Sequence, residues 1–150
     1  MTMTPDEAEI FVRSFEAAWA KRDGEAMREL WHPDGLLFTP VVDRPVSPNE
    51  LPKLVAAQIR IAPDLAWHLL DWAARGSLVY VEWRVTQTIA DTPIEWRGMD
   101  RFLLEDGRIR EEHVFADTTP MRLMAAPDAD RNRLAAASKS SVSPTPMIRL

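Results

Sequence analysis

Four strand-length runs, at 65–74, 78–89, 94–104 and 108–118, dictate most of what this chain can become. Gly76, Asp91-Thr92-Pro93 and Asp106-Gly107 separate them, and short turn signals between long runs read as an antiparallel meander. In the second run Val79, Val81, Trp83 and Val85 share one face while Glu82, Arg84 and Thr86 share the other. That is the alternation of a sheet with one side covered. The third run contains Gly98-Met99-Asp100-Arg101-Phe102, which sets a carboxylate among apolar residues. Asp100 is either an outward, solvated residue or a working group inside a cavity, and most of the functional question turns on which.

The N-terminal part follows a helical period. Thr4-Pro5-Asp6-Glu7 combines a capping hydroxyl, a proline suited to the first helical position and the glutamate of a capping box. Phe11, Phe15, Ala18 and Trp19 then make one apolar stripe, and Gly24 is expected to end the helix. A short second helix carries Ala26, Met27, Leu30 and Trp31 inward and stops at Pro33. Asp34-Gly35 turns the chain into a short strand at 36–39, closed by Pro40. A third helix runs to about Ala62, starting either at the Ser47-Pro48-Asn49-Glu50 box or nearer Pro52. Three N-terminal helices packed on the concave face of a strongly curved antiparallel sheet give an α+β class. One domain is expected over 1–125, then an extension at 126–150 that is partly helical or mobile.

Composition narrows the function classes. At 150 residues the chain suffices for one domain with a core or a ligand cavity. The net charge of −5 argues against a nucleic-acid or anionic-membrane footprint. With no cysteine, disulfides, thiolate catalysis and cysteine-held metals are excluded. No signal-peptide pattern and no run of membrane-spanning length is visible, so a cytoplasmic location is expected. The three histidines lack metal-ligand spacing, and neither a phosphate loop nor a nucleophile elbow is present, so no metal and no cofactor are expected. Six tryptophans against one tyrosine are unusual, since large rings either fill a core or line a pocket.

Trp31-His32-Pro33-Asp34-Gly35, and Asp100-Arg101-Phe102 followed by Asp106-Gly107-Arg108-Ile109, occur in this order of elements. Over 7–117 the pattern resembles the nuclear transport factor 2-like superfamily. That superfamily includes ketosteroid isomerases, limonene-epoxide hydrolases and SnoaL-like polyketide cyclases. The resemblance implies a cone-shaped fold that hosts many chemistries. It places Asp100 at the position of the isomerases' protonated, hydrogen-bond-donating aspartic acid. Their tyrosine would fall at Phe15 and their base at Thr39, neither of which can act so. The epoxide hydrolases' arginine and aspartate would fall at Trp83 and Val85, and a one-residue bulge would bring in Arg84 and Thr86. Their remaining acid, like the cyclases' last-strand acid, would fall at Val114. None of the three machineries is intact.

With Asp100 inward, period-two alternation puts Trp96, Gly98 and Phe102 in the cavity as well. By the resemblance Val81, Trp83, Val85 and Gln87 face in on the preceding strand, and Glu112, Val114 and Ala116 on the last. Ala66, His68 and Leu70 would face in on the first meander strand, although Trp67 and Leu69 are apolar too. Phe15, Trp19, Phe38 and Thr39 would form a lid. The catalytic candidates are thus Asp100, raised in pKa by apolar surroundings, His68 as base, and Glu112 pairing with either. Trp83 and Trp96 are expected to stack on a planar ligand or to fill the core. The first expectation is a cofactor-independent acid–base enzyme (isomerase, dehydratase or cyclase type) acting on a hydrophobic small molecule. The alternatives are a non-catalytic binding or dimerisation module and an epoxide hydrolase with rearranged residues. Trp67, Leu69, Tyr80 and Trp72 would leave an apolar outer sheet face suited to a homodimer.

Overall fold

The computed structural model describes residues 2–89 and 91–117. The extension expected at 126–150 lies outside the described residues. Helix α1 (Pro5–Lys21) opens with the capping box read from the sequence: Thr4 Oγ1 accepts from the Glu7 N–H, and Glu7 Oε2 accepts from the Thr4 N–H at 2.7 Å. It ends at Arg22, which adopts the left-handed conformation. Gly24 does not end this helix. It begins α2 (Gly24–Arg28), capped by the Asp23 side chain. A Cβ on Gly24 would stand 2.4 Å from the Pro52 Cα, so the missing side chain lets α2 touch the third helix.

Both candidate starts of that third helix are used. Ser47 and Glu50 form a capping box around a 3-10 turn, Pro48–Glu50, and α3 (Leu51–Ile61) follows with Pro52 in its first turn. Arg44 and the Ser47 backbone and hydroxyl hold the Glu50 carboxyl down to about 2. The second helix is shorter than expected because Trp31 belongs to a strand, β1 (Trp31–Phe38). Strands β2 (Ala66–Arg75), β3 (Leu78–Ile89), β4 (Thr92–Glu105) and β5 (Arg108–Ala116) complete one five-stranded sheet in the order β1-β5-β4-β3-β2.

The four later strands pair antiparallel, as the turn signals require, but β1 runs parallel to β5. The sheet is therefore mixed, not wholly antiparallel. The parallel edge follows from the long path between these strands, which carries α3 and the meander and so permits a crossover. The outer edge of β1 is closed by Leu37, which exchanges two backbone hydrogen bonds with Val46 at 2.9 Å.

Helix α1 lies on the inner face of the sheet. Phe11 and Phe15 meet Phe102 edge-on, with centroids 5.0 and 4.9 Å apart. Phe15 also meets Trp67 at 5.5 Å. Strand β2 has the opposite phase to the one expected. Trp67 pairs with the buried Val85, and His68 with Arg84. The register then shifts between Leu69 and Asp71, so that Trp72 pairs with buried Val81. Trp67, Leu69 and Trp72 pack against the core, and so do not form the outer apolar face assigned to them. The large aromatic area of the tryptophans outweighs the single imidazole in choosing which side of β2 is buried.

Candidate functional site

The inner face of the sheet, α1 and α3 enclose a cavity of about 90 Å³. Phe15 and Trp19 come from α1, Leu54, Val55 and Gln58 from α3, and Trp31 and Leu37 from β1. Trp67, Trp83, Val85 and Trp96 form the aromatic floor on β2, β3 and β4. Thr39, Val41 and Val114 line it as well. Two carboxyls enter this apolar enclosure, Asp100 from β4 and Glu112 from β5. Asp100 pairs with Val114, and Phe102 with Glu112. The acids thus occupy diagonal positions on one face of neighbouring strands, a spacing that side chains span.

Burial governs their chemistry. Asp100 is 3% and Glu112 6% exposed. Loss of solvent lifts the Asp100 carboxyl from its ordinary 3.8 to about 7, and the nearby Trp83 indole N–H opposes the rise. Burial raises Glu112 well above the usual carboxylate range, and repulsion from Asp100 adds to it. Repulsion opposes ionising both buried acids together, so ionisation of one favours the neutral form of the other. One can accept a proton while the other donates a hydrogen bond.

The aromatic packing fixes the floor beneath Asp100. Trp83 crosses Trp96 edge-on at 5.0 Å and 87°. Its ring lies over Gly98, where a Cβ would come within 2.4 Å of Trp83 Cζ2. Glycine at 98 is what allows the indole to lie across β4. Trp83 Nε1 and Asp100 Oδ1 are both buried without a hydrogen-bond partner, as are Trp19, Trp31 and Trp96 Nε1.

Of the residues expected from sequence, Phe15, Trp19, Thr39, Trp83, Val85, Trp96, Asp100, Glu112 and Val114 line the cavity. Four others do not. His68 lies on the opposite face of β2, with Nε2 3.2 Å from Thr86 Oγ1, because β2 turns Trp67 inward instead. Phe38 stacks on His113 at 4.4 Å, since Leu37 takes the inward place on β1. Phe102 is fully buried between Phe11 and Phe15 and belongs to the packed core. Gln87 is buried outside the cavity lining, with both amide atoms unpartnered. Sequence reasoning missed Trp31, Leu37, Trp67 and Gln58 as lining residues. Gln58 had a legible signal: it shares a helical stripe with Leu54 and Val55.

Solved structures resemble this one at low identity. IdmH of Streptomyces antibioticus, a proposed polyketide cyclase, is 20% identical with a TM-score of 0.67, over 79% of this chain and 97% of its own. AclR of Streptomyces galilaeus, a proposed hydroxylase, is 21% identical with a TM-score of 0.68, over 83% and 100%. An NTF2-like protein of Burkholderia thailandensis E264 is 18% identical with a TM-score of 0.69, over 80% and 98%. These likenesses show the fold, an α+β architecture of nuclear transport factor 2-like type. No curated protein sequence matches. The SnoaL-like domain model matches residues 12–112, from the first turns of α1 to Glu112 itself. That match spans most of the chain, and the chain belongs to the SnoaL-like domain family.

Proposed function

We propose that the protein is a cofactor-independent acid–base enzyme acting on a small hydrophobic carbonyl compound, with Asp100 and Glu112 as its working pair. The observation that carries this reading is two carboxyls, both raised by burial, opening into one apolar cavity. The ionised carboxyl removes a proton from carbon beside a carbonyl. The protonated one donates a hydrogen bond to the oxygen as negative charge develops there. The enolate then has three outcomes. Reprotonation at another carbon isomerises it, loss of hydroxide dehydrates it, and attack on a second carbonyl closes a ring. The names of solved relatives such as IdmH favour the cyclase outcome. His68, expected to serve as base, is on the other face of the sheet, so the second acid takes that role.

The test is incorporation of deuterium from D2O into small cyclic 1,3-diketones, followed by NMR. Asp100→Asn and Glu112→Gln should each slow exchange by about 10²-fold or more, while His68→Gln leaves it unchanged. Wild-type rates in both acid variants reject the pair. A wild-type protein that binds such a ligand, releases it unchanged and exchanges nothing would instead be the non-catalytic binding module, a reading supported by the absence of any histidine from the cavity lining. For epoxide hydrolysis the chain lacks an inward arginine on β3, since Arg84 pairs with Glu95 at 3.3 Å away from the cavity.

A further inference from the structure

Trp83 Nε1 is a buried donor and Asp100 Oδ1 a buried acceptor, and neither has a partner. They are close neighbours. Trp83 pairs with Gly98 across the β3–β4 ladder, two residues from Asp100 on the same face. The Trp83 N–H acts on the Asp100 carboxyl as a weak hydrogen-bond donor, but the contact does not reach the geometry of an ordinary hydrogen bond and leaves Nε1 and Oδ1 unsatisfied. The indole lies against Gly98 and meets Trp96 edge-on, which limits its rotation toward Asp100.

An unmet donor beside an unmet acceptor calls for a group that both accepts and donates. A hydroxyl oxygen does this. Beside the ionised form of Asp100, a carbonyl or ether oxygen, which only accepts, would leave the carboxylate unmet. We infer that Trp83 and Asp100 together hold the hydroxyl of an enol or phenol, which accepts from the indole N–H and donates to the carboxylate. When the O–H proton passes to Asp100, the oxygen becomes an oxyanion and Asp100 a neutral acid, while the indole N–H stays bonded to the charged oxygen. The balance is closed within the pair, with no other reactant. Trp83 is then the residue that selects hydroxylated ligands.

The size of the ligand follows from the enclosure. A cavity of about 90 Å³ has room for about three water molecules, at about 30 Å³ each. Benzene occupies a cavity of about 150 Å³, so a single ring enters with a small outward movement of the walls and a polycyclic skeleton is excluded. The inference rests on the reading of this cavity as a ligand site, and not on turnover.

The experiment compares 4-nitrophenol with 4-nitroanisole, which has the same ring but no O–H, by titration calorimetry. Wild-type protein should bind the phenol at least about tenfold more tightly. Trp83→Phe, which keeps a ring and removes the N–H, should abolish that preference while leaving the anisole unchanged. A nitrogen-15 spectrum of the indoles covers the case in which the variant fails to fold: in the wild type, the Trp83 Nε1 proton should move downfield on addition of the phenol and stay in place with the anisole. Equal affinity for the two probes, a preference that survives Trp83→Phe, an unmoved indole proton, or no binding of either probe overturns the inference. Phenol preference without deuterium exchange would sink the catalytic reading alone.

Discussion

At the scale of single residues, the buried acids couple function to stability. In the unfolded chain both carboxyls ionise near their ordinary values; in the fold Asp100 does so at about 7 and Glu112 higher than usual. Across that interval the native state holds more protons than the unfolded one, so stability must fall as pH rises from about 4 through 7. The sign is opposite to that of a salt-bridged carboxylate. Asp100→Asn keeps the shape and removes the ionisation. It should raise Tm by at least about 2 °C near pH 8 and leave it unchanged near pH 4, as read by calorimetry. A shift of the same size at both pH values would show that ionisation of Asp100 costs the fold nothing.

At the scale of elements, the helices and strands were legible wherever local chemistry decides them. The Thr4–Glu7 box, the two-stage start of α3 and the turns at Gly76 and Gly107 act through neighbours in sequence. Strand phase was legible on β3, where apolar and polar residues alternate cleanly. It was not legible on β2, where Trp67, His68, Leu69 and Leu70 give no alternation and a register shift intervenes. Gly24 makes the same point for helices. Its role is set by Pro52, which is distant in sequence, and Gly24→Ala should destabilise the fold by about 1–3 kcal/mol because the facing atom is rigid backbone. Urea denaturation measures this, and a loss below about 0.5 kcal/mol would show that α2 and α3 separate freely.

At the scale of the whole molecule, the sheet presents one face to the helices and another outward. Met99 and Phe115 pair on β4 and β5 and are 42% and 61% exposed, and Leu36 on β1 is 42% exposed. We propose self-association through this face, using residues other than the β2 tryptophans first considered. Phe115→Arg should then convert a dimer to a monomer in light scattering, and a wild-type protein that is already monomeric at micromolar concentration rejects the proposal. Among the described residues no helix is long and apolar enough to cross a membrane. The sequence by itself determined the α+β class and the meander, because tight turns and period-two alternation are local properties of a strand, and it left open whether Asp100 faces in or out. Only the tertiary structure decided that β1 lies parallel to β5, that Asp100 faces the cavity, that Trp67 displaces His68 from it, and that Glu112 accompanies Asp100 rather than His68. Those outcomes depend on competition for one buried face among segments far apart in the chain, and no single segment carries the information.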